Sequence, residues 1–395
     1  MQPIQPSASN QAIKPQGARI NVQVMTQTGP GTLAGRYMRR FWQPALLSEE
    51  LVSGRAMPVR IMGEDFTIYR GEDGVAHAVA SRCAHRGAQL SVGFVEGNRI
   101  RCLYHGWQYD GSGQCVERPA ERDPHACGNI RIRSYPVVEY LGLVLVYLGE
   151  GNAPAPLNFP EFGAEGVREA SFYERGCNYF QNVENGVDEV HVAFTHRQSV
   201  FQVLNYSVPE MGAQETKYGL VQLAKRSDGK VNQAHFMMPN MLTFTYPASN
   251  DPAVTGWALY LSWRVPIDDA RHKTFIVEHF NVKPDDLEGF RARRQARRES
   301  IAALPPRAQV SAAILAGKAH LMDYVDRPDY LNLGDDVTQG AQGIVQDRSA
   351  ERLGRSDVAI IMLRRLWARD LAAIESGSEP TAWEYPTSLP RPTGA

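Results

Sequence analysis

Two short segments constrain this chain more than anything else in it. Cys83-Ala84-His85 and Cys102-Leu103-Tyr104-His105 each offer one thiol and one imidazole, and 16 residues separate His85 from Cys102. The pattern is C-x-H-x16-C-x2-H. Gly87 and Gly106 follow the two histidines closely, where a loop wrapped around a metal needs backbone angles that glycine adopts freely. Two thiols and two imidazoles can hold zinc tetrahedrally. They can also hold a two-iron, two-sulfur cluster, with thiolates on one iron and imidazoles on the other. The order along the chain favours the cluster. Zinc fingers usually pair Cys with Cys and His with His, whereas here each loop carries one of each, as expected if both loops reach across two irons.

The chain has 395 residues, more than one hydrophobic core usually serves. Three parts are expected: an N-terminal arm and helix (1–40), a small all-β unit (41–152) and a larger mixed unit (153–395). Met1–Arg19 is polar, rich in Gln, Ser and Pro, and without a signal-peptide core, which suggests a flexible arm. Thr32–Trp42 has the pattern of a short helix stopped by Pro44. Between Met57 and Gly149, runs rich in Val, Ile and Tyr alternate with Gly and Asp turns. Gln108–Val116 suggests a hairpin around Asp110-Gly111-Ser112-Gly113, and Tyr140–Leu148 one buried strand. Pro154, Pro156 and Pro160 mark a boundary. Beyond it come a helix, or helix then loop, over Tyr179–Phe194, strands within 217–283, including Met241–Tyr246 and Trp257–Trp263, and a charged helix over Asp285–Leu304. The five arginines between Arg291 and Arg298 are expected on a solvated face. Val358, Ile361, Met362 and Leu366 recur at helical spacing, with Gly377 as a stop.

Composition removes several function classes. The formal net charge of -1 gives no support for a nucleic-acid or anionic-membrane partner. The five cysteines are odd in number and sparse, which fits a reducing cytoplasm better than a disulfide framework. No run of 18 apolar residues suggests a membrane span.

A second constellation follows. In Glu184-Asn185-Gly186-Val187-Asp188-Glu189-Val190-His191, then His196, the core is D-x-x-H-x4-H. Histidines five apart cannot share a face of a straight helix, since five residues overshoot a full turn by about 140°. The helix is therefore expected to end or distort near His191. Two imidazoles and a distant carboxylate make the facial triad of mononuclear iron, which leaves positions open for oxygen and substrate. A di-iron bundle competes, because it repeats an acidic-x-x-His motif on two helices. The only other D-x-x-H, Asp269 to His272, follows Pro266 in a turn, a poor place for a bundle ligand.

The first motif, with Arg86-Gly87 and Gly106-Trp107 beside it, resembles that of Rieske proteins. Followed by E-N-x-x-D-x-x-H-x4-H, it resembles the Rieske ring-hydroxylating oxygenases. Gly29-Pro30-Gly31-Thr32, Trp42-Gln43-Pro44, Gln342-Gly343, Asp347-Arg348-Ser349 and Leu353-Gly354 are similar to the phthalate dioxygenase and O-demethylase branch. The resemblance implies an α+β fold, with a small all-β Rieske domain followed by a catalytic domain of antiparallel sheet and covering helices. It implies a [2Fe-2S] cluster on Cys83, His85, Cys102 and His105, and mononuclear Fe(II) on His191, His196 and an Asp eight residues before Gly343. That count gives Asp335, with Asp336 adjacent as the alternative. It implies head-to-tail homotrimers in which Asp188 links His191 to His85 or His105 of the next subunit. The activity implied is O2-dependent hydroxylation or O-demethylation of a small aromatic substrate, an aromatic acid in particular. The chain has no G-x-G-x-x-G opening for a nicotinamide or flavin, so a separate reductase, with or without a ferredoxin, must supply electrons. Two other functions remain open: an electron carrier with a partner-binding domain, and an oxygenase of non-aromatic small molecules. The strands at Ala234–Tyr246 and Trp257–Trp263 are expected to wall the substrate pocket.

Overall fold

The structure, a computed structural model, describes residues 21–199, 207–247 and 251–389; the expected arm, Met1–Arg19, lies outside them. Thr32 caps α1 (Leu33–Met38), its hydroxyl accepting from the Gly35 amide at 3.1 Å. The helix is shorter than expected, because Trp42 already begins a strand. Pro44 lies inside that strand and does not stop a helix. β1 is an edge strand whose register shifts between Pro44 and Leu46, a position that tolerates the missing N–H.

Among the described residues, short strands fill the first part: β1 (Trp42–Leu47), β2 (Ala56–Ile61), β3 (Glu64–Arg70), β4 (Ala76–Ala80), β5 (Phe94–Glu96), β6 (Arg99–Arg101), β7 (Gln108–Asp110), β8 (Cys115–Glu117), β9 (Ser134–Tyr135), β10 (Val137–Tyr140) and β11 (Leu143–Tyr147). They pair as β1-β11-β10, β2-β3-β4-β9 and β5-β6-β7-β8. The expected hairpin is β7-β8. The apolar run Tyr140–Leu148 is two strands rather than one. Leu141 and Gly142 turn between them with φ of 56° and 80°, the left-handed pair that a tight two-residue hairpin requires.

The second part is built on a seven-stranded antiparallel sheet: β12 (Val167–Arg175), β13 (Glu210–Thr216), β14 (Gly219–Lys225), β15 (Val231–Met237), β16 (Met241–Pro247), β17 (Trp257–Asp268) and β18 (Arg271–Phe280), in the order β12-β18-β17-β16-β15-β14-β13. Residues directly opposite one another share a face. Tyr173, Thr274 and Arg264 form one such row, and Asn182 of α2 (Tyr179–Asn185) packs on it, its amide within 3.2 Å of the Tyr173 hydroxyl and 2.9 Å of the Thr274 hydroxyl. The opposite face carries Leu261, Trp263, Phe275 and Val277 into a core shared with β1, β11 and α1. This sheet and its helices give the α+β architecture.

Further helices are α3 (Val192–Thr195), α4 (Leu287–Ala302), α5 (Arg307–Leu315), α6 (Tyr330–Gly340) and α7 (Val358–Glu375). The arginines of α4 do more than face solvent. Glu169 and Glu278 stand opposite each other on β12 and β18, where like charges repel. Arg294 bridges both, at 2.6 and 3.0 Å. On α7 the buried face is Ala359, Leu363, Leu366, Trp367, Leu371 and Ile374, and Ile361 is exposed. Gly377, with φ of 76°, follows its end.

Candidate metal centres

The two Cys/His loops have the same backbone design. The amides of Cys83 and Gly87 bond to the carbonyls of Ala88 and Cys83, both at 2.9 Å. Those of Cys102 and Gly106 bond to Trp107 and Cys102, at 2.8 and 3.1 Å. Gly87 and Gly106 have φ of 71° and 74°. Both thiols are buried; His85 is exposed and His105 half-buried. Their rings lie 4.6 Å apart, and Trp107 stacks on His85 at 4.6 Å and 5°. Burial pushes the Cys83 thiol up, and the Tyr109 hydroxyl, 3.2 Å from its sulfur, draws it back. That hydroxyl also accepts the Ala84 amide at 3.1 Å. Two buried sulfurs and two outer imidazoles are the donor set that would hold a [2Fe-2S] cluster of mixed thiolate and imidazole ligation. Cys115, Cys127 and Cys177 are free and buried as well, with the sulfurs of Cys115 and Cys127 3.4 Å apart.

The second centre is assembled from two helical segments. α2 ends at Asn185, and α3 begins after His191 and finishes before His196. The break lets the two imidazoles converge, with ring centroids 5.2 Å apart. Asp335, on α6, completes the group: its Oδ1 is 3.7 Å from His191 Nε2 and 3.3 Å from His196 Nε2. One ligand atom from each of these residues lies within 4.8 Å of the others. Oδ1 is buried and, among the described residues, accepts no hydrogen bond, which is the state expected of an oxygen facing a cation. Burial alone would raise this carboxyl, but the His196 contact and the Arg175 charge hold it well below the usual range. Two neutral imidazoles and one carboxylate fit a divalent iron.

Neighbours on a helix point about 100° apart, so Asp335 and Asp336 have different surroundings. Asp336 turns away from the histidines, to Arg175 Nε at 2.6 Å and Arg307 Nε at 3.1 Å. Arg175 also reaches Asp335 Oδ2 at 3.4 Å. Sequence reasoning missed this buried arginine, which lies outside both motifs. It also missed Gly334, where a Cβ would stand 3.1 Å from Thr195 Cγ2; its lack of a side chain lets α6 approach α3. Asp188 Oδ2 is 3.9 Å from His191 Nδ1. The nearer acceptor for that ring nitrogen is the Asp188 backbone carbonyl, while Asp188 Oδ1 accepts the Val190 amide at 3.0 Å. The other D-x-x-H is split: Asp269 accepts the Thr28 amide at 2.8 Å, and His272, buried on β18, bonds the Cys177 carbonyl at 2.8 Å.

Among the described residues, no helix is long and apolar enough to cross a membrane. Residues 41–136 match the Rieske [2Fe-2S] domain. The chain is 29% identical to the oxygenase subunit of 5,5'-dehydrodivanillate O-demethylase from Sphingobium sp., over 91% of this chain and 81% of that one. It is 28% identical to the oxygenase subunit of tert-butanol monooxygenase / tert-amyl alcohol desaturase from Aquincola tertiaricarbonis, over 92% and 78%. The terminal oxygenase of carbazole 1,9a-dioxygenase from Nocardioides aromaticivorans shares the fold, with a TM-score of 0.64 at 23% identity over 91% of this chain and 98% of that one. The cofactors are thus a [2Fe-2S] cluster and a mononuclear iron. With its two candidate centres on one α+β chain, the protein carries a Rieske [2Fe-2S] domain and is similar, over most of its length, to the oxygenase subunits of an O-demethylase and a phthalate dioxygenase.

Proposed function

We propose that this subunit uses O2 and electrons from a separate NAD(P)H-dependent reductase, directly or through a ferredoxin, to hydroxylate or O-demethylate a small aromatic acid. The observation that carries the reading is Asp335 Oδ1, buried, without a hydrogen bond among the described residues and facing two imidazoles. In this reading His191, His196 and Asp335 hold the mononuclear iron, and Cys83, His85, Cys102 and His105 the cluster, within domains 41–152 and 153–395. When bound, the cluster supplies electrons singly and the iron supplies O2 activation. Arg175 fixes the Asp335 carboxylate through Oδ2 and leaves Oδ1 to the metal. On the sheet face that α2 covers, Phe244 and Tyr260 stack at 4.5 Å and 26°. They give the flat apolar wall an aromatic ring would lie against.

The subunits assemble head to tail in a closed ring of three. Asp188 then joins His191 to His85 or His105 of the next subunit. The tert-butanol relative supports a second reading, in which the substrate is a small aliphatic alcohol. Oxygen uptake with a generic reductase separates the two. Methoxybenzoates or phthalate should stimulate uptake, with formaldehyde released from methoxylated substrates, and tert-butanol should not. Uptake coupled to tert-butanol alone would overturn the aromatic reading.

A further inference from the structure

Arg264, on β17, is 4% exposed. A guanidinium carries five N–H donors and a permanent charge, and burying it without a counter-charge is costly. Other buried arginines here meet that requirement: Arg175 lies against Asp335 and Asp336, and Arg348 against Glu184. Arg264 has no such partner. Among the described residues its one side-chain hydrogen bond runs from Nη1 to the Ser262 hydroxyl at 2.6 Å. Its Nε is buried with no partner. The segments outside the described residues, 1–20, 200–206, 248–250 and 390–395, contain no Asp or Glu. No acidic side chain of the chain is therefore left to neutralise it.

Its position gives this charge a use. Nη2 is 3.1 Å from the point where a Cβ on Gly186 would sit. Gly186 joins α2 to the segment carrying Asp188 and His191. Along β17, on the same face, Ser262 comes next and then Tyr260, whose ring stacks on Phe244. A cation, a hydroxyl and an aromatic wall thus follow one another beneath the iron-binding segment.

We infer that Arg264 is the anchor for a carboxylate on the substrate, with the Ser262 hydroxyl beside it and the Phe244–Tyr260 pair against the ring. The inference rests on the aromatic-acid reading above and adds the residue that selects for the acid. The ligand neutralises the buried charge, so the free protein carries an unsatisfied cation for the sake of specificity.

Calorimetric titration of the holoenzyme with benzoate and with benzamide, its neutral analogue, tests this. The wild type should prefer benzoate. Arg264→Met should weaken benzoate about 10- to 100-fold, the range for hydrogen bonds to a charged group, and leave benzamide unchanged. Its Tm without ligand should rise, because an unpaired buried charge has been replaced by an apolar chain of similar length. Arg264→Lys should keep the preference for benzoate. Unchanged benzoate binding in Arg264→Met would show that the carboxylate is held elsewhere, and would overturn the anchor while leaving the aromatic-acid reading intact. A lower Tm or failure to fold, together with no preference in Arg264→Lys, would make Arg264 a structural cation and also overturn it. No preference for benzoate in the wild type would overturn the aromatic-acid reading and the anchor with it.

Discussion

Glu184 ties the iron-binding segment to the C-terminal part of the chain, and its removal should be expensive. Its Oε2 accepts from Arg348 Nη2 and its Oε1 from Arg364 Nε, both at 2.5 Å. Arg364 also bonds Glu351. The side chains of Glu184, Arg348 and Arg364 are only 8%, 5% and 11% exposed. Two carboxylates balance two guanidiniums, so the network is neutral as a whole. Glu184→Gln leaves one positive charge in excess, with Arg348 the more stranded, because Arg364 keeps Glu351. Removing one partner of a buried pair costs about 3–5 kcal/mol. The same change should loosen iron, since α2 leads directly into Asp188 and His191. Urea unfolding of wild type and Glu184→Gln, both loaded with metal, measures the loss as a shift in midpoint at constant slope. Glu184→Met combined with Arg348→Met should recover most of it, because an apolar pair in place of a buried ion pair is often neutral. A loss below about 1 kcal/mol for Glu184→Gln, or no recovery in the double variant, would show that the network does not hold α2 in this way.

Three further outcomes are expected. Burial lowers the His272 pKa to about 3, against the pull of the Cys177 carbonyl. Because the folded value lies below the unfolded one, the unfolded chain takes up the proton first as pH falls. Stability should therefore be intact above about pH 6.5 and decline toward pH 3 by up to about 1.4 kcal/mol per unit; a His272→Gln variant whose acid slope matches the wild type would contradict this. Gly334→Ala places a Cβ 3.1 Å from Thr195 Cγ2 and should push α6 from α3, weakening iron binding about tenfold; an unchanged iron dissociation constant would show that the approach is not tight. Asp188→Asn should keep both metals and the proposed ring of subunits yet slow cluster oxidation in stopped-flow severely, and an unchanged rate would exclude Asp188 from the electron path.

The local chemistry of both centres was legible because metal-binding loops need particular residues at short spacing. C-x-H, C-x2-H and D-x-x-H-x4-H are contiguous, and the structure brings each set together. The third carboxylate was harder. Asp335 and Asp336 are adjacent and chemically identical in sequence, and only the direction of α6 separates them. Arg175, Gly334 and Arg264 were invisible for a related reason. Each acts through a neighbour distant in sequence, and a lone arginine or glycine carries no spacing signal. The strand and helix pattern was legible in outline and failed at its joints. Leu141 hid a hairpin inside an apolar run, and Pro44 signalled a helix stop where the chain forms an edge strand. The arginines of α4 suggested a solvated face, because the Glu169–Glu278 pair they neutralise forms only once β12 and β18 meet.

Two separate iron centres on one chain, one on each motif, can be checked by iron analysis of His191→Ala together with its visible spectrum. The variant should lose the mononuclear iron and all product formation while the red-brown cluster absorption stays at wild-type intensity. Full iron content with substrate turnover retained, or a colourless wild-type protein carrying stoichiometric zinc, would contradict that arrangement.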